Sequence, residues 1–229
     1  MTVAAFDPSL THFGYVLLDE TKEGKDAFLG SGTFKTDPKD GLLIQRIITQ
    51  RERVKKFLIE NNIKFVAMES PYWGDFNTEI LFALNQHIHE IFLNLNMFVL
   101  YVQPQSLKKF ACPHLKPNEV NKHHMVHQAK TELEKHGRKF SEHVSDAYFA
   151  GKLGCIFHRW YIQKAMTDEE LPEYLQDLFA GKHTYTKGAK KGITDYTGII
   201  YKENDQFFDY SKQNRKTTTI INEVQNGHQ

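Results

Sequence analysis

Two carboxylates in this sequence stand at the ends of short apolar segments. Asp7 follows the apolar residues 3–6, and Glu69 follows the apolar residues 65–68. An unpaired carboxylate in an apolar setting is costly, so such a residue normally pairs with a cation, shares a proton or binds a metal ion. Because the two residues occupy equivalent positions in two predicted strands, they indicate one shared site.

A third acidic element lies further along the chain, where Ser141 precedes a predicted helix over residues 142–153. His143 and Asp146 are three residues apart and therefore project from the same face of that helix. The small and aromatic residues 147–150 give the helix an apolar surface that can pack beside the strand ends. This packing would bring His143 and Asp146 to Asp7 and Glu69.

Each of these residues also has an ordinary structural interpretation. Asp7 before Pro8 is a common turn former, Glu69 before residues 70–71 can simply end a strand, and a His-x-x-Asp pair on a helix usually faces solvent. The combination and its order along the chain favour a site over these separate explanations.

Carboxylate oxygens with open coordination positions suit Mg²⁺ or Mn²⁺, and two such ions ~3.5–4 Å apart can promote phosphodiester hydrolysis. The imidazole of His143 is a softer ligand than a carboxylate and therefore shifts the preference towards Mn²⁺. His143 can alternatively act as a general base, because its pKa is normally close to neutral.

The surrounding pattern predicts an α/β fold, a mixed five-stranded sheet flanked by helices. Alternating apolar residues predict strands, and helical spacing of apolar residues predicts amphipathic helices. The predicted strands are 2–7, 14–19, 30–35, 65–69 and 97–102. The predicted helices are 41–62, 78–94, a short helix at residues 108–109, 119–136 and 142–153.

The chain changes character after residue 157, which predicts a nuclease-sized domain over 1–157 and a C-terminal extension over 158–229. Within the extension we expect a helix at 167–178, a Lys/Thr/Gly loop at 181–192, and strands at 194–200 and 206–210.

Composition limits the class of protein. Lys and Arg number 29 against 28 Asp and Glu, so the formal charge of +1 is not that of a protein that merely coats nucleic acid. Two cysteines, Cys112 and Cys155, provide no disulfide framework, and no apolar run approaches the ~20 residues that span a bilayer. These features lead us to expect a cytoplasmic protein with no membrane association.

The sequence resembles the RuvC-like Holliday junction resolvases of the RNase H-like superfamily. The resemblance covers residues 1–157 and rests on four motifs in the family's order. These are Phe6-Asp7-Pro8-Ser9 with Gly14 and Tyr15, then Ala67-Met68-Glu69-Ser70-Pro71-Tyr72, then Tyr101-Val102-Gln103-Pro104 with Lys108, and finally His143-Val144-Ser145-Asp146-Ala147.

This resemblance implies catalytic metal ligands at Asp7, Glu69, His143 and Asp146, with His143 where many members have a third Asp. It implies two Mg²⁺ or Mn²⁺ ions and cleavage that leaves a 5′-phosphate and a 3′-hydroxyl. It also places an aromatic wedge at Tyr72, where stacking on a base is worth ~1–3 kcal/mol. The lysines that would contact the DNA backbone are Lys108, Lys109, Lys116 and Lys122.

The same resemblance implies a homodimer formed through residues 78–94, matching a two-fold DNA junction. In that case the partner is branched DNA, either four-way junctions or flaps and forks. Compact members with C-terminal additions occur in bacteriophages, so a phage origin, with action in the host cytoplasm, is compatible with the sequence.

Three other functions share features with this sequence. An actin-like or sugar-kinase phosphotransferase also opens with Asp and a Gly-containing hairpin, but it needs two lobes and a later glycine-rich loop, which this chain lacks. A ribonuclease H acting on RNA–DNA hybrids needs the same metal chemistry, and Tyr72 favours the junction over it. A catalytically silent junction binder is disfavoured because all four ligand positions are filled.

Overall fold

The computed structural model describes residues 1–69, 78–133, 140–179, 182–184, 194–196, 200–203 and 206–209. The strands are β1 (Thr2–Asp7), β2 (His12–Asp19), β3 (Phe28–Lys35), β4 (Phe65–Glu69), β5 (Phe98–Val102), β6 (Lys182–Thr184), β7 (Thr194–Tyr196), β8 (Ile200–Glu203) and β9 (Gln206–Asp209). The α-helices are α1 (Leu43–Glu60), α2 (Thr78–Asn94), α3 (Pro104–Ala111), α4 (Lys122–Glu132), α5 (Glu142–Phe157) and α6 (Glu173–Phe179).

Seven strands form one mixed sheet in the order β3-β2-β1-β4-β5-β8-β9. Strands β1, β4 and β5 are parallel neighbours, while β2 pairs antiparallel with β1 and β3 pairs antiparallel with β2. The predicted mixed sheet of five strands is therefore confirmed, and the C-terminal segment adds β8 and β9 to it. Because β1 and β4 run in the same direction, Asp7 and Glu69 end at the same edge of the sheet. We call this the catalytic edge.

The sheet separates two hydrophobic cores. Helices α1 and α2 cover one face, where Phe6 and Met68 are buried, and α5 covers the other, where Ala5 and Ala67 are buried. Successive side chains of a strand point to opposite faces. Asp7 and Glu69 therefore continue the row of side chains on the α5 face.

Helix α5 lies unusually close to the sheet, because small residues meet at its contacts. A Cβ built on Gly151 would lie 2.9 Å from the Cβ of Ala5, and one built on Gly154 would lie 2.8 Å from the Cβ of Ala67. Real Cβ atoms are essentially never that close to their neighbours. Glycines facing alanines are therefore what allows α5 to settle directly on β1 and β4.

The segment after residue 157 packs on the same core as α5. A single π-helical turn, His158–Ile162, follows α5, and the buried residues Trp160, Leu175 and Phe179 belong to that core. His158 Nδ1 lies 2.6 Å from the carboxylate of Glu20, which is only 2% exposed. The domain boundary at residue 157 stays a prediction.

The structure shortens several predicted elements for local reasons. Helix α4 begins at Lys122 because the Asn121 side chain accepts a hydrogen bond from the backbone N–H of His124 (3.1 Å), as an N-cap does. Helix α6 begins after Pro172, since proline disfavours helical geometry in the residue before it. In the extension, the predicted loop contains β6, and the predicted strand over 194–200 is β7 and the start of β8. No helix among the described residues is long and apolar enough to cross a membrane.

The close approach of α5 leads to a test of its glycines. Gly151→Ala should lower the free energy of unfolding, although alanine is intrinsically favoured over glycine in helices by roughly 1 kcal/mol. The new methyl group would meet Leu18 Cδ1 at 2.8 Å and Ala5 Cβ at 2.9 Å, so the helix must move. Urea denaturation measures the effect, with Gly30→Ala as the control because nothing lies within 4 Å of a Cβ at that position. A Gly151→Ala protein as stable as the control would contradict the close packing.

Candidate active site

Three carboxylates meet at the catalytic edge. Ligand oxygens of Asp7, Glu69 and Asp146 all lie within 4.8 Å of one another. Asp7 is 8% exposed, while Glu69 and Asp146 are half-buried, so the cluster is open to solvent on one side. The structure thus brings together three of the four residues that the sequence predicts as metal ligands. We call these three residues the carboxylate cluster.

Helix α5 reaches the carboxylate cluster because its first turn rests on a glycine. Ser141 caps the helix by accepting a hydrogen bond from the backbone N–H of Val144 (3.3 Å), as the sequence predicts. Gly14 is the strand partner of Asp7. A Cβ on Gly14 would lie 2.6 Å from the carbonyl carbon of His143. Any side chain there would push the helix, and with it Asp146, away from Asp7.

His143 joins the site through Asp7. Its Nδ1 lies 2.5 Å from Oδ2 of Asp7, and its side chain is 30% exposed. Burial is the main cause that lowers the pKa of His143, and the nearby Lys122 adds to it. A lowered pKa favours the neutral imidazole, the form that can bind a metal ion or accept a proton. Its role as a ligand or as a base stays a prediction.

The carboxylate cluster is electrostatically frustrated in the absence of a cation. Burial raises the pKa of Asp7, and the charge of Asp146 raises it further. Burial and repulsion by Asp7 and Asp146 likewise raise the pKa of Glu69 well above its usual range. A hydrogen bond between the two side chains lowers the pKa of Asp7 and raises that of Glu69. Burial raises the pKa of Asp146 to about 6.

These residues fit a divalent metal ion. The donors are hard oxygen atoms, which Mg²⁺ and Mn²⁺ prefer, and one side of the carboxylate cluster is open to substrate and water. A bound cation would stabilise the charged carboxylates and so oppose the burial that raises all three pKa values. Asp7 contacts both Glu69 and His143, so its carboxylate has another candidate metal ligand on each side.

Two of the four predicted DNA-binding lysines lie near the carboxylate cluster. The charge of Lys122 opposes the burial that raises the pKa values of Asp7 and Asp146, and Lys108 has the same effect on Glu69 and Asp146. Lys122 Nζ also donates to Glu142 at 2.7 Å. Both lysines are therefore close enough for their charges to act on the carboxylate cluster.

The remaining predicted DNA-contact residues are Lys109, Lys116 and Tyr72. Lys116 is exposed and forms a 3.6 Å ion pair with Glu119, and Lys109 is exposed at the end of α3. Tyr72, the predicted wedge, lies outside the described residues.

His12 lies beside the site, although no motif in the sequence singles it out. The His12 ring is parallel to the His143 ring within 2°, with the ring centroids 6.2 Å apart. Its position five residues after Asp7, at the start of the next strand, was the available signal, but only the packing of α5 on Gly14 brings the two histidines together.

Comparison with known structures identifies the fold. Neither a model of a known protein family nor a curated protein sequence matches the chain. The structure of Thermus thermophilus RuvC matches 72% of this chain and 97% of its own, with a TM-score of 0.55 and 21% identity. The same protein in complex with a Holliday junction substrate matches 72% of this chain and 96% of its own, with a TM-score of 0.54 and 19% identity. The chain therefore has the RNase H-like fold of RuvC.

A further match is weaker. The Fowlpox virus resolvase in complex with substrate Holliday junction DNA matches 73% of this chain and 100% of its own, at a TM-score of 0.38 and 14% identity. At that level of similarity the match adds nothing to the assignment of the fold.

The raised pKa of Asp146 predicts how stability changes with pH. In the unfolded chain Asp146 loses its proton near pH 4, whereas in the folded metal-free protein it does so near pH 6. The folded state therefore binds more protons in this window, and the free energy of unfolding falls as pH rises from about 4 to about 6. In EDTA at pH 7, Asp146→Asn should stabilise the protein by up to about 3 kcal/mol, since each pKa unit corresponds to ~1.4 kcal/mol.

Urea denaturation in EDTA at pH 4 and pH 7 measures this difference, which should fall below about 1 kcal/mol at the lower pH. Asp19→Asn is a suitable control, because hydrogen bonds from Thr21 lower the pKa of Asp19 and its replacement should not stabilise the protein. Equal stability of Asp146→Asn and wild type at pH 7 would show that the carboxylate cluster is not frustrated.

Proposed function

We propose that this protein is a metal-dependent, structure-selective endonuclease that resolves Holliday junctions and other branched DNA. The observation that carries the proposal is the convergence of Asp7, Glu69 and Asp146 at the catalytic edge of a RuvC-like fold. Fold alone does not define an activity, because one fold supports many reactions. A carboxylate cluster of this kind adds the chemistry that phosphodiester hydrolysis needs.

Asp7, Glu69, Asp146 and His143 would hold the divalent ions. When bound, the ions would neutralise the charge that develops on the phosphate and its leaving oxygen. Asp7 has the central position, because it contacts Glu69 on one side and His143 on the other. Its two carboxylate oxygens make it the residue best placed to serve two ions.

Besides binding a metal ion, His143 would be able to act as a general base. Its Nδ1 faces Asp7, so the hydrogen bond to that carboxylate fixes the orientation of the ring. With its pKa lowered, the ring is mostly neutral at neutral pH and can accept a proton from an attacking water. The choice between ligand and base is open to a test by metal dependence.

Lys108 and Lys122 would hold the DNA strand over the carboxylate cluster. They approach it from two elements, α3 and α4, and their charges already reach its carboxylates. Helix α4 is fixed to α5 through Glu132, which accepts hydrogen bonds from Tyr148 Oη (3.0 Å) and Lys152 Nζ (2.5 Å). The helix that begins at Lys122 is thereby anchored to the helix that carries Asp146.

A homodimer through α2 is part of the proposal. The helix packs on the sheet through Leu84, Ile88 and Phe92, while Phe82 and Leu93 are each 38% exposed on its other side. Such residues would provide apolar surface for a second copy. Two copies related by a two-fold axis would present two active sites to the two strands of a four-way junction.

The decisive experiment is a cleavage assay with Asp7→Asn as the paired variant. The wild-type protein in Mg²⁺ or Mn²⁺ should cut a labelled four-way junction symmetrically, while Asp7→Asn should lose at least 10²-fold in rate, since it removes the shared ligand. Binding of the junction, measured by fluorescence anisotropy in Ca²⁺, should be retained. Retention of cleavage by Asp7→Asn would remove Asp7 from the site.

The substrates of the same assay separate the alternatives. Cleavage of an RNA–DNA hybrid alone would reassign the protein as a ribonuclease H. Tight junction binding without any cleavage would indicate a silent junction-binding protein. Linear duplex DNA and EDTA are the negative controls.

Three of the four lysines provide a graded test of DNA contact. Lys122→Ala and Lys108→Ala should each lower kcat/KM on the junction by about tenfold or more, as expected for loss of a charged contact of ~1.4 kcal/mol or more. Lys116→Ala is the matched control, because Lys116 pairs with Glu119 away from the carboxylate cluster and should change kcat/KM by less than about twofold. An equal loss in all three variants would show a general effect of charge instead of contacts at the site.

A further inference from the structure

His12 occupies the edge of the active site on an unusually well-supported turn. The turn joins Asp7 in β1 to His12 in β2, and the carbonyl of Leu10 at its centre accepts hydrogen bonds from Gln50 Nε2 (2.9 Å) and Thr36 Oγ1 (2.5 Å). Gln50 is fully buried and Thr36 is only 5% exposed. Buried hydrogen bonds of this kind hold a loop in one conformation.

Two backbone contacts complete the support of the turn. The N–H of Thr36 donates to the carbonyl of Thr11 (3.1 Å), and the N–H of His12 donates to Ser9 Oγ (3.4 Å). His12 then pairs with Lys35 in the sheet. The backbone of His12 is therefore as firmly placed as that of Asp7.

The side chain of His12 is ordered by His143. The two rings are parallel within 2° at a centroid distance of 6.2 Å, a range typical of offset stacking. His143 is itself fixed by Asp7. Asp7, His143 and His12 thus form a row that leads outwards from the carboxylate cluster, and His12 is its exposed end.

The ring of His12 has hydrogen-bonding capacity to spare. Within the described part of the chain, His12 donates a hydrogen bond to a side chain through its backbone N–H. The ion pairs of histidine rings with acidic side chains there are those of His143 and His158, and the His12 ring forms none. An ordered, exposed imidazole N–H beside a site that acts on a phosphodiester is well suited to donate to a phosphate oxygen.

We infer that His12 is a substrate-binding residue that donates a hydrogen bond to the DNA phosphate next to the one that is cut. This inference rests on the proposed endonuclease function. It explains why the exposed ring of His12 stacks on His143. The row of Asp7, His143 and His12 would set the distance between the scissile phosphate at the cluster and the next phosphate on the same strand.

Three variants separate phosphate binding from stacking. His12→Ala removes both, His12→Phe keeps an aromatic ring against His143 but has no N–H donor, and His12→Gln keeps a donor without the ring. If His12 binds phosphate, Ala and Phe should each lower kcat/KM on the junction by about tenfold, mainly through KM. His12→Gln should recover most of that loss.

The phosphate itself can be changed to complete the cycle. A junction carrying a neutral methylphosphonate next to the cut should be cleaved about tenfold more slowly by wild type than the unmodified junction. On the modified junction, His12→Ala should cleave about as fast as wild type does. A merely structural role of His12 would make the two losses multiply. Full activity of His12→Phe combined with impaired His12→Gln would also overturn the inference, because stacking alone would then account for His12.

The same set of measurements distinguishes this inference from the proposed function. If wild type cuts the junction and Asp7→Asn does not, while His12→Ala equals wild type, only the assignment of His12 fails. If wild type neither cuts nor binds the junction, the proposed function fails and the inference about His12 fails with it.

Discussion

The close contact between helix α5 and the sheet is the constraint on which the site depends. Gly151 and Gly154 face Ala5 and Ala67, so no side chain separates the helix from β1 and β4. At the catalytic end, Gly14 continues this contact beneath the backbone of His143. A carboxylate side chain is short, and Asp146 can reach the oxygens of Asp7 and Glu69 only because the two backbones are this close.

The same packing that builds the candidate metal site lowers the stability of the metal-free protein. The packing forces three carboxylates into one volume, where burial raises all three pKa values and repulsion within the cluster raises those of Asp7 and Glu69 further. The two hydrophobic cores on either side of the sheet must offset that cost, since neither Asp7 nor Glu69 can move away from the strand that carries it. Active sites commonly concentrate such unfavourable interactions because the same charges become favourable once a cation binds.

The sequence predicts the carboxylate cluster well because its elements obey simple periodicities. Asp7 and Glu69 end parallel strands and share a face by alternation, and His143 and Asp146 share a face by helical spacing. Periodicity alone does not identify the lysines that reach the cluster, because the reach of Lys108 and Lys122 depends on how α3 and α4 are placed beside the sheet. His12 was missed for the same reason, since its neighbour His143 is distant along the chain.

The C-terminal extension covers the edge of the sheet at β5. Without it, β5 would be an edge strand with unpaired backbone groups, which is a hazard for association between chains. Strand β8 pairs antiparallel with β5, with Ile200 opposite Tyr101, and β9 pairs with β8, with Asp209 opposite Ile200. Because β5 runs towards the catalytic edge, β8 must begin there and β9 must end there. Ile200 and Asp209 therefore lie at the same edge of the sheet as the carboxylate cluster, so the described part of the extension reaches the end of the sheet that carries the candidate site.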